Sequence, residues 1–136
     1  MSELSPRALF AARLIQARQL RGLSQRALGD RMGLGKEKGS SRINRYEHQV
    51  TAIGFDNLGL LAQLLDVPAA YLLADDAAMA DAILALAQAD DTQRDALATL
   101  IPALVQDPTL LTKLVKLLDM PDREQAEALK ALAAKD

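Results

Sequence analysis

The sequence predicts an all-α protein, on three observations. Alanine and leucine are abundant while aromatics make up 3% of the chain. Apolar residues recur at three- and four-residue steps rather than alternating, the period of helices and not of half-buried strands. Helix-start and helix-stop residues cut the chain into pieces of helical length.

Taken in order, Ser5 followed by Pro6 is an N-cap with proline in the first turn. Leu9, Leu14, Ile15 and Leu20 supply an apolar stripe, and Gly22 closes this first helix. Ser24 caps a second, short helix from Gln25 to about Met32, with Ala27, Leu28 and Met32 facing inward and Gly33 ending it. "GLGKEKG", Gly33 to Gly39, reads as a loop from its three glycines and its charges. A third helix starts near Ser40, with an earlier turn over Lys36 to Gly39 as the alternative. "FDNLGLLAQLLDV" returns to helical spacing through Leu58, Leu61, Leu64 and Leu65, and "PAAYLLADD" makes a short fifth helix. The domain boundary falls at Asp75 or Asp76, giving domains 1–75 and 76–136. Beyond it follow four amphipathic segments, two of them carrying leucine stripes at Leu97, Leu100, Ile101, Leu104 and at Leu110, Leu111, Leu114, Leu117, Leu118.

A length of 136 residues suits one compact domain or two small ones. With no cysteine, neither a disulfide framework, a thiolate zinc site nor a thiol nucleophile is available, which fits a reducing cytoplasm. "MSELSPRALFAARL" lacks the uninterrupted apolar core of a signal peptide, and no stretch is long enough to span a bilayer without charges, so no membrane role is expected.

The net charge of -2 conceals a segregation of signs. Residues 1–57 hold ten Lys and Arg against five Asp and Glu, whereas residues 58–136 hold six against thirteen. The front is a basic module suited to an anionic partner, despite the acidic total.

Two short helices joined by a glycine-containing turn, the second able to enter a DNA major groove, form a helix-turn-helix, and "SQRALGDRMG", a turn and "SSRINRYE" supply those parts in order. From Ala8 to about Asp75 the chain resembles the lambda-repressor-like (Cro and XRE type) DNA-binding family. "RLIQARQLRGLSQRALGDRMGL" matches its first two helices, "RINRYEHQ" the end of its recognition helix and "DNLGLLAQLLDVPAAYLL" its last two. The resemblance implies a five-helix domain. One departure is visible: Gly33 to Ile43 exceeds the family's usual spacing, so "GKEKGSS" carries about four extra residues.

On a helix beginning near Ser40, the side chains of Ser40, Ser41, Asn44 and Arg45 share an outward face while Ile43 points inward. Forked donors and acceptors of this kind read base edges, arginine suiting guanine and asparagine adenine. The resemblance carries base contact onto those four positions, and Arg42 suits either a base or a phosphate. It also implies a phosphate contact for Gln25 at the start of the second helix, where free N–H groups favour an anion. Arg26, Lys36, Lys38 and His48 are further backbone candidates. An acid at Glu47 would repel phosphate unless a cation neutralised it, and the family pairs a first-helix arginine with that glutamate, implying Arg18 as its structural partner. Tyr46 is expected in the core, with no DNA role.

Residues 76–136 offer leucine stripes and no catalytic cluster, which predicts self-association, a monomeric bundle being the plainer alternative. The resulting expectation is a cytoplasmic, dimeric repressor reading double-stranded DNA with a palindromic operator, without cofactor. The alternative is an antitoxin-like or adaptor component whose acidic helical half binds a basic protein. The acids of "QADD" and "MPD" lack the spacing of a calcium loop and read as helix caps rather than a metal site. An enzyme is disfavoured, since the chain has no glycine-rich phosphate loop, no supported Ser/His/Asp order and a single histidine.

Overall fold

The computed structural model describes residues 3–134 and contains helices alone among them. The helices are α1 Pro6–Leu20, α2 Gln25–Arg31, α3 Lys38–Glu47, α4 Phe55–Leu65, a 3-10 helix Ala69–Leu73, α5 Ala77–Gln88, α6 Asp91–Gln106, α7 Pro108–Leu118 and α8 Asp122–Ala133. They fall into two compact units, divided between Asp90 and Asp91. No helix of the described residues is long and apolar enough to cross a membrane.

The first unit is built around side chains that α1, α2, α3, α4 and the 3-10 helix turn inward. Leu14, Leu28, Ile43, Leu61, Leu65, Tyr71 and Leu72 are fully buried and form one core. Local chemistry sets the entry of each of the first two helices: Ser5 Oγ accepts from the Ala8 amide at 3.2 Å and Ser24 Oγ from the Ala27 amide at 3.0 Å. α1 does not bury the stripe read from its sequence in full, because Leu20 is half exposed at the helix end while Phe10, Ala11 and Ala17 are buried. The segment "PAAYLL" is too short for an α-helix and closes as a 3-10 helix behind Pro68. Arg21 ties α1 to the end of α4, donating from Nε to the Leu65 carbonyl at 2.8 Å and from Nη2 to that of Asp66 at 2.7 Å.

The boundary at Asp75 or Asp76 lies inside this unit. α5, capped by Asp76 through the Met79 amide at 2.8 Å, sinks Ala80 into the same core and packs Ile83 and Leu84 against it. Gln16 of α1 donates to Asp81 at 3.2 Å. The reason is compositional: "AAMADAILALAQ" presents small residues that let α5 approach α1 and the 3-10 helix closely.

Tyr71 is fully buried, yet its hydroxyl has no hydrogen-bond partner among the described residues. Burial, and then Asp81, push its phenol above the ordinary value of 10.0, with Arg13 and Arg21 pulling the other way. The folded chain therefore holds this proton more tightly than the unfolded chain. The associated stability is complete below pH 10.0 and is lost as the pH rises through that value toward the higher folded one. Tyr71→Phe should be neutral or stabilising by up to about 1 kcal/mol at neutral pH, since it removes an unmatched polar group. It should also flatten the alkaline decline; thermal unfolding at neutral pH and above pH 10 checks both.

The second unit has a different character. α7 is capped by Asp107, which accepts from the Leu110 amide at 3.1 Å. α6, α7 and α8 bury no described residue. Leu97, Leu104, Leu114 and Leu117 are only half-buried, and Leu100, Ile101, Val105, Leu111, Val115, Leu118, Leu129 and Leu132 are exposed. Nor is this the acidic part of the chain. Residues 58–90 hold five Asp and Glu with no Lys or Arg, whereas residues 91–136 hold eight against six.

Candidate nucleic-acid interface

The turn between α2 and α3 is shaped by three left-handed residues, Gly33 (φ 73°), Gly35 (φ 86°) and Glu37 (φ 72°), the first two glycines that adopt it without strain. The chain thereby swings back early enough for α3 to begin at Lys38 rather than near Ser40, so the extra residues of "GKEKGSS" lengthen the helix as well as the turn. Gly39 makes this possible. Its backbone lies against that of Gly29 in α2, and a Cβ at either position would run into main-chain atoms of the other helix.

With this start, one helical turn separates Lys38 from Arg42 and Ser41 from Arg45. The exposed surface of α3 then has two flanks. Ser40, Ser41 and Asn44 share a groove with Gln25 and Arg26 of α2. Lys36, Lys38, Ser41, Arg42 and Arg45 share a wider one with Thr51 and Asn57. Ser41 belongs to both, on the ridge between them. The opposite side of α3 holds it to the core through Ile43 and through Tyr46, whose ring stands edge-on to Phe10 at 5.7 Å and whose hydroxyl accepts from Asn57 at 3.4 Å.

A polar chain runs beneath the first flank. Arg18 Nε donates to Glu47 Oε1 at 2.7 Å, and Nη2 reaches Oε2 at 3.4 Å, while Nη1 donates to the Leu23 carbonyl at 2.9 Å. The Glu47 side chain is 3% exposed and that of Arg18 18%. The second carboxylate oxygen accepts from Gln25 Nε2, and Gln25 Oε1 accepts from Asn44 Nδ2 at 3.3 Å. The side chain of Gln25, for which the resemblance implies a phosphate contact, is thus turned onto the protein: a buried carboxylate with two oxygens needs a second donor, and Gln25 is the one α2 provides. Arg26, Lys36 and Lys38 stay exposed around α3. His48 sits at the C-cap of α3, its Nδ1 donating to the Asn44 carbonyl at 2.8 Å, which leaves Nε2 outward. No group of three or more His, Asp or Glu among the described residues is placed to hold a metal ion.

The Helix-turn-helix family model matches residues 14–72. A crystal structure of transcriptional regulator BswR is similar at 30% identity and a TM-score of 0.62, covering 71% of this chain and 95% of that one. The chain belongs to the lambda-repressor-like helix-turn-helix family. No curated protein matches it.

Within this helix-turn-helix unit, sequence reasoning missed Thr51 and Asn57, which line the wider groove from the loop after α3 and the start of α4. Neither carries a charge, so charge segregation did not point to them; the polar residues of "VTAIGFDN" just after the recognition helix were the available signal. It also missed the contact between Gln25 and Asn44, for which no spacing rule exists across two helices.

Proposed function

We propose that this helix-turn-helix protein is a transcription regulator that binds double-stranded DNA sequence-specifically through α3, as a dimeric repressor on a palindromic operator. The observation carrying the reading is the exposed face of α3. Ser41, Arg42, Asn44 and Arg45 are exposed and Ser40 half-buried against α2, between grooves that also present Arg26, Lys36 and Lys38, while Ile43 and Tyr46 lock the helix from behind. Arginine and asparagine on a rigid helix suit base edges, and the cations around them suit phosphates. The relative BswR is described as a transcriptional regulator, which supports the same reading.

In a random-duplex selection the full chain should enrich a defined site, with affinity falling at least about tenfold from about 50 to about 200 mM salt as counterions are released. Arg45→Ala should cost about 1 to 3 kcal/mol on the selected site and relax the preference at one position. Failure to bind any duplex at low salt would overturn the reading, and an unchanged consensus would remove Arg45 from the readers.

The dimer is supported by the second unit. Three helices that bury no described residue gain little stability from their own packing, and so many exposed apolar side chains favour an association site. Its near-balanced charge favours a second copy over a strongly basic partner, because identical surfaces then meet without repulsion. Two recognition helices set about 34 Å apart by such a pairing would read successive major grooves on one side of the duplex. A chain ending at Asp90 should sediment as a folded monomer under conditions where the full chain is a dimer. Equal association states would refute the role given to α6–α8.

A further inference from the structure

Asn44 is the one residue of the proposed reading face whose side chain is also hydrogen-bonded to a side chain of another helix. That bond is the end of a series whose polarity is set from inside the protein. Glu47, ion-paired with Arg18, presents a carboxylate, and a carboxylate only accepts. Gln25 must therefore turn its NH2 group toward Glu47, which points its own oxygen at Asn44. An oxygen there only accepts as well, so Asn44 must turn its NH2 group toward Gln25. No described residue donates to Asn44 Oδ1, and the residue is exposed on the flank it shares with Ser40 and Ser41. An unsupported asparagine amide offers either edge to a base; the bond to Gln25 biases this one toward a single orientation.

We propose that the Arg18–Glu47 ion pair, acting through Gln25 as a positioning residue, fixes the Asn44 amide with its oxygen toward the groove, making Asn44 an acceptor-first reader of an exocyclic amino group, adenine N6 or cytosine N4. The inference rests on the reading of α3 as the groove helix and adds to it a direction of hydrogen bonding. One NH2 hydrogen of Asn44 remains free, so a second contact to adenine N7 is allowed, but it is the subordinate one. Reversing any link would set two oxygens against each other beside a buried charge. The polarity is thus held by the ion pair rather than by the base it meets.

The test uses the full chain. Site selection with the wild type and with Asn44→Ala locates the position that Asn44 reads. At that position, duplexes lacking the exocyclic amino group should bind the wild type about tenfold more weakly, whereas a 7-deaza purine should cost less than about threefold. Gln25→Ala cuts the series while keeping both members of the ion pair, and should shrink the difference between the two analogues to within about twofold when binding is measured well below the variant's own melting temperature. A purely structural role for Gln25 would not move that ratio. Glu47→Gln, if it folds, should reverse the preference between the two analogues. Arg18 only donates, so the new amide would turn its oxygen to Arg18 and its NH2 to Gln25, whose own NH2 would then face Asn44. The proposal is overturned if Asn44→Ala leaves the consensus unchanged, if loss of N7 costs as much as loss of the amino group, or if Gln25→Ala keeps the wild-type discrimination. A wild type that selects no site at all would instead refute the DNA-binding reading on which the proposal rests.

Discussion

Gly39→Ala is expected to lower the melting temperature by at least about 10 °C and to abolish specific duplex binding. The added methyl would point at the Gly29 carbonyl, and the reciprocal Gly29→Ala at the Ser40 amide. In both cases the obstacle is backbone held by helical hydrogen bonds, not the end of a side chain that can rotate away. Relief requires α2 and α3 to separate, and Leu28, Met32 and Ile43, buried between and behind them, would lose packing as they do. Because the two helices are the reading unit, a separation small on the scale of the core is large on the scale of a base edge. Gly59→Ala is the control. Its Cβ meets nothing within 4 Å and it lies on the exposed side of α4, so it should stabilise by about 0.5 to 1 kcal/mol through the unfolded state. If Gly39→Ala melts and binds like the wild type, the close approach of the two backbones is wrong.

This pair of glycines also marks where sequence reasoning stops. Features that depend on a few adjacent residues were readable. Ser5 and Ser24 cap the helices they precede, Gly22 and Gly33 adopt the positive φ that ends them, and the all-helical fold follows from periodicity. The start of α3 was left open between Ser40 and an earlier turn over Lys36 to Gly39; the helix starts at Lys38, inside that alternative, because Gly39 rests on Gly29, ten residues back in the chain. Gly39 taken alone is a loop residue by propensity. Leu20, read as part of the apolar stripe of α1, is half exposed at the helix end. The boundary read at Asp75 or Asp76 cuts α5 from the unit whose core holds Ala80, a packing of one helix on others distant in the chain that no local pattern signals. The pairing of Arg18 with Glu47 came from family resemblance and not from spacing, since 29 residues separate them. Gln25 as their third partner had no sequence signal at all.

Glu47→Ala is expected to cost about 3 to 5 kcal/mol, nearly all of it from stranding Arg18 rather than from the lost attraction. Arg18 keeps one bond, from Nη1 to the Leu23 carbonyl, but its Nε and Nη2 are left facing a cavity lined by α1 and α3 with only 18% of the side chain in solvent. The loss should persist in high salt, because buried charges are poorly screened; by contrast Arg123→Ala, which breaks the exposed pair with Glu127 at 3.7 Å, should change stability by less than about 0.5 kcal/mol. Pairing Arg18→Met with Glu47→Leu should then recover most of the stability, since apolar residues of similar volume replace an ion pair that had to be desolvated. Such a protein separates the two roles of the pair. It should melt near the wild type yet read bases less selectively at the Asn44 position, because Gln25 would have no carboxylate to orient it. Thermal melts of the single and double variants, followed by site selection with the double, check each step. A Glu47→Ala protein with an unchanged melting temperature would show that the pair contributes nothing to the fold.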